Sequence, residues 1–218
     1  MLQRSWWGAT LAVGLLAQAA ARAGHSPTVL EISASDSQVV ILVGKAGMLS
    51  FAGHAHEIVA PAVHGRVTFD PMDWTRASVS LEFDAAALRV TGKGESASDV
   101  PAVQQAMLGG QVLDVTRFPK IAFQSRHVSV ALHGTSAADV AIDGDMTLHG
   151  TSRPMTIRAS ATLDAAGRVT ARGSFTLKQT DFGMVPVTAA GGTIRVKDEL
   201  DIQFVLKASP ANEATTSR

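Results

Sequence analysis

The sequence contains no cysteine and no tyrosine, and aromatic residues make up only 5% of its 218 positions. Without cysteine there is neither a disulfide framework nor a thiolate metal site, so the core must hold the fold unaided. A chain of this length buries enough apolar surface to do that. No acylated cysteine can tether the N-terminus either. Charge is balanced at 19 basic and 19 acidic residues, with no long basic run. That balance, with so few rings for base stacking, argues against nucleic acid as a partner. Also missing are a G-x-S-x-G nucleophile elbow, a phosphate-binding loop and a Rossmann glycine fingerprint, so no enzyme motif is present.

What is present begins with a targeting pattern. Arg4 precedes an apolar run from Trp6 to Ala20, which ends in Ala21-Arg22-Ala23. A basic start, a short apolar core and a small-residue site predict a signal peptide over residues 1–23. The run falls short of the ~20 residues that span a bilayer, so no stable membrane anchor is expected. The expected location is the periplasm. Loss of Arg4 and Arg22 takes the basic count from 19 to 17 against 19 acidic residues, a formal charge of −2.

From there the chain reads as one domain over residues 24–208, followed by a disordered tail over residues 209–218. Val79, Leu81 and Phe83 alternate with Ser78, Ser80 and Glu82, the period of a strand with one apolar face. Met146 and Leu148, then Met155 and Ile157, repeat that period on either side of a connection holding Gly150, Ser152 and Pro154, which predicts an antiparallel hairpin. Ser37–Lys45 is nearly continuously apolar, as in a strand buried on both sides. Val112–Phe118 is read as leading into a strand pair or one long bent strand. Asp164-Ala165-Ala166-Gly167 predicts a further hairpin turn. Only Ser98–Gly110 changes period. Val100, Val103 and Met107 fall on one helical face, with Ser98 or Asp99 as cap and Gly109 as stop. The fold class is therefore all-β, an antiparallel lipocalin-like β-barrel with one short helix inserted between strands. A two-sheet sandwich is the alternative.

Several segments together resemble the YceI-like family. Gly144-Asp145-Met146-Thr147-Leu148-His149-Gly150 with Arg153-Pro154-Met155-Thr156 is similar to that family's "GDLTLHGVTRPVTL" hairpin. Phe118-Pro119-Lys120-Ile121 with Phe123-Gln124-Ser125 resembles its "FPxIxFxS" block. Thr180-Asp181-Phe182-Gly183-Met184 resembles its "SDFGI" segment, and Gly65–Asp70 its early strand. These matches fall in family order across Val39–Ala208. The resemblance implies a lipocalin-like barrel, mostly periplasmic, that holds an isoprenoid chain or similar amphiphile and has no shared catalytic machinery. The chain departs from better-known members at Gln104-Gln105 and in the Gly53-His54-Ala55-His56 segment, which a subset of the family carries.

Phe69, Phe83, Met107, Phe123, Met146 and Phe175 are the candidate ligand-binding residues, either lining a cavity or filling a solid core. The resemblance favours the cavity, with an apolar small molecule as partner, no cofactor required and oligomeric state open. The leading expectation is non-enzymatic binding, transport or sequestration of an isoprenoid-type lipid. His54 and His56 share a strand face and can converge on a metal, with His64 joining them if Ile58–Val63 is a tight reversal. The alternative is thus a metal- or haem-binding module. A third reading, a hydrolase or isomerase acting on a bound lipid, has only His149, Asp143 and Asp145 behind it.

Overall fold

Eight antiparallel strand positions close into a ring, and three of them are built from two consecutive segments each. The computed structural model describes residues 27–46, 56–61, 63–189 and 194–211. The expected signal peptide, His54 and residues 212–218 lie outside the described residues. In chain order the elements are β1 (Thr28–Ile32), β2 (Gln38–Ala46), β3 (His56–Val59), β4 (His64–Phe69), β5 (Ser78–Asp84), β6 (Arg89–Val90), α1 (Val100–Leu108), β7 (Lys120–Leu132), β8 (Ala137–Leu148), β9 (Thr151–Leu163), β10 (Val169–Lys178), β11 (Thr188–Ala189) and β12 (Ile194–Pro210). β1 and β2 lie end to end along one edge of β12. β4 pairs with β1 and β3 with β2, while β5 pairs with β4 and β6 with β3. β7 to β10 follow as whole strands, and β12 pairs with β10 to close the ring. Closure leaves the ring without a long free edge, which settles barrel against sandwich.

The β8–β9 hairpin turns on two residues, His149 at φ 50° and Gly150 at φ 72°. Positive φ at both central positions matches the right-handed twist of the flanking strands. The Phe118 ring lies against Gly150 where any β-carbon would stand, so a side chain there is excluded twice over. The turn is tighter than expected: Ser152 and Pro154 belong to β9, where Pro154 sits opposite Asp145. β10 pairs with β9 only between Ala159 and Leu163, so Pro154 faces no second ladder that needs its missing N–H. At the β9–β10 turn, Gly167 has φ 77° and the Asp164 carboxylate accepts from the amides of Ala166 and Arg168.

Other expectations are corrected. β2 is not buried on both sides; Val39, Ile41 and Val43 face inward, while Val40 and Leu42 face out and stay half-buried. Val112–Phe118 forms turns. The amides of Leu113 and Val115 return to the carbonyls of Met107 and Leu108, and those of Arg117 and Phe118 to that of Asp114, which has φ 43°. This coil takes up the carbonyls left over at the end of α1. β7 is the one long bent strand, its register shifting between Ser125 and His127. β12 runs on to Pro210, so Ser209 and Pro210 are strand residues paired with Glu31 and Leu30. β3 and β4 continue along one strand position, so they do not pair back on each other as a tight reversal between them would require.

α1 takes its place through one side chain. Because β7 does not pair with β6, the edge of β6 would be open. Gln104 closes it: its Oε1 accepts from the Val90 amide at 2.8 Å, and its Nε2 donates to the Leu88 carbonyl at 2.8 Å. The amide stands in for a neighbouring strand. Asp99 occupies the cap position without a side-chain bond to the helix.

Candidate ligand-binding cavity

The inward-facing residues do not meet in the middle. They enclose a cavity of about 490 Å³ that runs the length of the barrel, within the range of small-molecule sites. One end is plugged by a small cluster of Leu30, Phe69, Trp74, Ala138, Ala161, Val169 and Ala208. There the Phe69 and Trp74 rings meet edge to face at 5.1 Å. The wall along β10 runs from Val169 to Leu177, about 26 Å of strand at ~3.3 Å per residue. At the far end, Val103 and Met107 of α1 face the cavity, as do Val112 and Leu113 from the turns after it. Ala102 and Ala106 also line it and are exposed, so they mark its rim. Leu81, Phe83, Ile121, Phe175, Leu200 and Phe204 point inward yet are only half-buried, because they face space and not one another.

All six residues expected at the ligand site, Phe69, Phe83, Met107, Phe123, Met146 and Phe175, stand on this wall. Alternation explains their convergence: one face of each strand points inward, and β8 and β7 place Met146 directly opposite Phe123. Aliphatic residues of the last strand, such as Ile202 and Leu206, line it too, and their period-two pattern was the available signal.

Almost all of the lining is apolar. Among the described lining residues, the Trp74 indole aside, only His56 and Gln179 carry polar side chains. Gln179 is 3% exposed and its Nε2 donates to the Lys197 carbonyl at 2.8 Å. His56 sits opposite Val43 on the inward face of β3, with Nδ1 2.9 Å from Glu95 Oε1. Sequence reasoning did not single out Glu95, which lies in the polar loop between β6 and α1. The loop turns on Gly92 and Gly94, with φ 75° and 77°. Thr91 and Lys93 clamp it to Glu57 on the outer face of β3, while Glu95 reaches His56.

Of the metal candidates, His56 and His64 do not converge among the described residues. His54 lies outside them, His64 is exposed on β4, and no group of three or more metal-binding side chains occurs there. The groups behind the catalytic reading are equally scattered. Asp143 accepts from the Thr156 hydroxyl and Asp145 pairs with Arg126 at 3.5 Å, both on the outer surface. His149 meets the Phe118 ring edge-on at 4.6 Å, and its Nδ1 lies 3.2 Å from the Phe182 carbonyl. Its ring docks the hairpin onto the short turn Thr180–Phe182.

Comparison with known proteins places this barrel. The YceI-like domain family matches residues 30–208, from within β1 to near the end of β12. The chain belongs to the YceI-like family. Curated relatives include UPF0312 proteins of Pseudomonas savastanoi pv. phaseolicola and Pseudomonas syringae pv. syringae. Each is 30% identical over 150 residues, covering 65% of this chain and 72% of the relative. Among solved structures, Burkholderia cenocepacia BcnA superposes with a TM-score of 0.62 at 19% identity, over 82% of this chain and 99% of that one. A polyisoprenoid binding domain from Saccharophagus degradans gives 0.58 at 10% identity, over 84% and 99%. At these identities the structural matches establish the fold.

Proposed function

We infer that the protein binds an isoprenoid-type lipid, or an amphiphile of similar shape, inside the barrel, and carries or sequesters it without chemically changing it. The observation that supports this most is the cavity itself: long, almost wholly apolar, and reached at an end rimmed by alanines. An apolar chain entering it leaves water at about 0.8 kcal/mol per methylene, so affinity needs few polar contacts. The polyisoprenoid binding described for the Saccharophagus degradans domain supports the same ligand class. We place this activity in the periplasm, on the strength of the basic start, apolar core and Ala21-Arg22-Ala23 site.

Displacement of an environment-sensitive apolar dye tests the binding reading. Isoprenoid alcohols should displace the dye at one site per chain, and Ala159→Phe, which fills the mid-barrel wall, should abolish dye binding in a folded protein. Dye uptake unaffected by a filled cavity contradicts it.

A further inference from the structure

The apolar cavity has one polar feature that is short of partners. Glu95 is an acid carried on a surface loop, yet its side chain is only 3% exposed. Both of its carboxylate oxygens, and His56 Nδ1, have no hydrogen-bond partner among the described residues. The 2.9 Å approach of Nδ1 to Oε1 is an electrostatic contact out of line for a hydrogen bond. Buried polar groups in folded proteins are normally satisfied, because an unpaired one costs about 1–3 kcal/mol. Lys45 is within Coulombic reach: desolvation lowers its pKa while the Glu95 charge works against that. A buried charge beside a lining histidine marks this corner as the polar place on an otherwise apolar wall.

We propose that His56, oriented by the buried Glu95, is the head-group site of the cavity, and that it takes an amphiphile ending in a neutral hydroxyl. This rests on the reading of the cavity as a lipid site. A nitrogen lone pair 2.9 Å from a carboxylate oxygen is repulsive even off axis, whereas an N–H there is attractive, so the Nδ1 edge carries the proton. That tautomer presents Nε2 as an acceptor. His56 is a lining residue with 20% of its side chain exposed, whereas Glu95 is almost wholly covered. Contact with the ligand therefore falls to the histidine, and Glu95 is a positioning residue. A hydroxyl donates to Nε2. A phosphate or carboxylate head would bring a second negative charge beside Glu95, and an ether has no proton to give. The site also sets direction: head beside His56 and α1, tail toward Phe69 and Trp74.

The test compares geranylgeraniol, its methyl ether and its monophosphate, which share one apolar chain, for binding to the purified protein. The alcohol should bind roughly tenfold more tightly than the ether, the worth of one good hydrogen bond, and more tightly than the monophosphate. In His56→Leu the alcohol-to-ether ratio should fall to about one, and His56→Gln, which keeps an acceptor, should restore part of it. ¹⁵N shifts of the His56 ring should show Nδ1 protonated in the unaltered protein and lose that signature in Glu95→Ala. A ratio near one in the unaltered protein overturns the proposal, whether or not His56→Leu folds. Tightest binding of the monophosphate, or an Nε2-protonated ring, overturns it as well. In each of those cases the lipid-binding reading survives. Failure to bind any of the three overturns that reading too.

Discussion

The ring of Phe123 occupies the space that a side chain at Gly144 would need: a β-carbon there would lie 2.6 Å from Phe123 Cζ. Gly144 stands opposite Ser125, at the bend of β7, and Phe123 folds over the bare backbone it leaves. Gly144→Ala should therefore destabilise the barrel by about 1–3 kcal/mol, the usual cost of overpacking a well-filled site. Urea unfolding checks this. The double variant Gly144→Ala, Phe123→Leu should recover only part of the loss, because the ring's clash goes while the Gln124 carbonyl oxygen, 2.5 Å from the same β-carbon, stays.

Gln104 replaces a missing strand at β6, so its loss leaves two backbone groups without partners. Gln104→Leu should cost about 1–3 kcal/mol, and amide exchange at Val90 should accelerate more than at Ile58 on the neighbouring strand. Gln104→Glu keeps the acceptor for the Val90 amide but loses the donor to Leu88, and should fall between the two.

Asp164 is held below the ordinary carboxylate range by the Arg168 amide and guanidinium, and by the Ala166 amide. The unfolded chain has none of these bonds and titrates near pH ~4. The stabilisation is thus fully present above about pH 4 and is lost as pH falls through the lower folded value. Carboxyl-detected NMR should find Asp164 titrating below an unperturbed aspartate. Asp164→Asn should flatten the acid limb of the stability curve.

At the rim, Ala106 is exposed and lines the cavity. Ala106→Trp should slow both entry and release of a bound lipid while changing equilibrium affinity little, because the rim gates passage and the wall supplies the binding. Stopped-flow displacement separates the rates. Release as fast as in the unaltered protein would place the entrance elsewhere.

Much of this was legible along the chain. Ser78–Asp84 alternates as β5, and the residues from Gly144 to Ile157 announce their hairpin. Phe83, Phe123 and Met146 reach the cavity wall because inward-facing positions of neighbouring strands share one interior. What the residues did not reveal depends on partners distant in sequence. Whether Val112–Phe118 runs as strand or coils back is decided by the free carbonyls at the end of α1. Glu95 lies in a polar loop that reads as solvated, and its burial depends on Gly92, Gly94 and the clamp to Glu57. Continuous apolarity in β2 suggested two buried faces, where the outer face of this strand simply carries Val40 and Leu42. His54 and His56 offered metal spacing, yet His56 has a carboxylate beside it that no local pattern announced.

The central claim is that the interior holds a lipid. Organic extraction of the protein purified from its native host, followed by mass spectrometry, tests it most directly. The account predicts a single class of isoprenoid-type lipid approaching one molecule per chain, absent from a folded Ala159→Phe variant. Protein that is consistently empty, and that takes up no such lipid when it is supplied, would contradict the account.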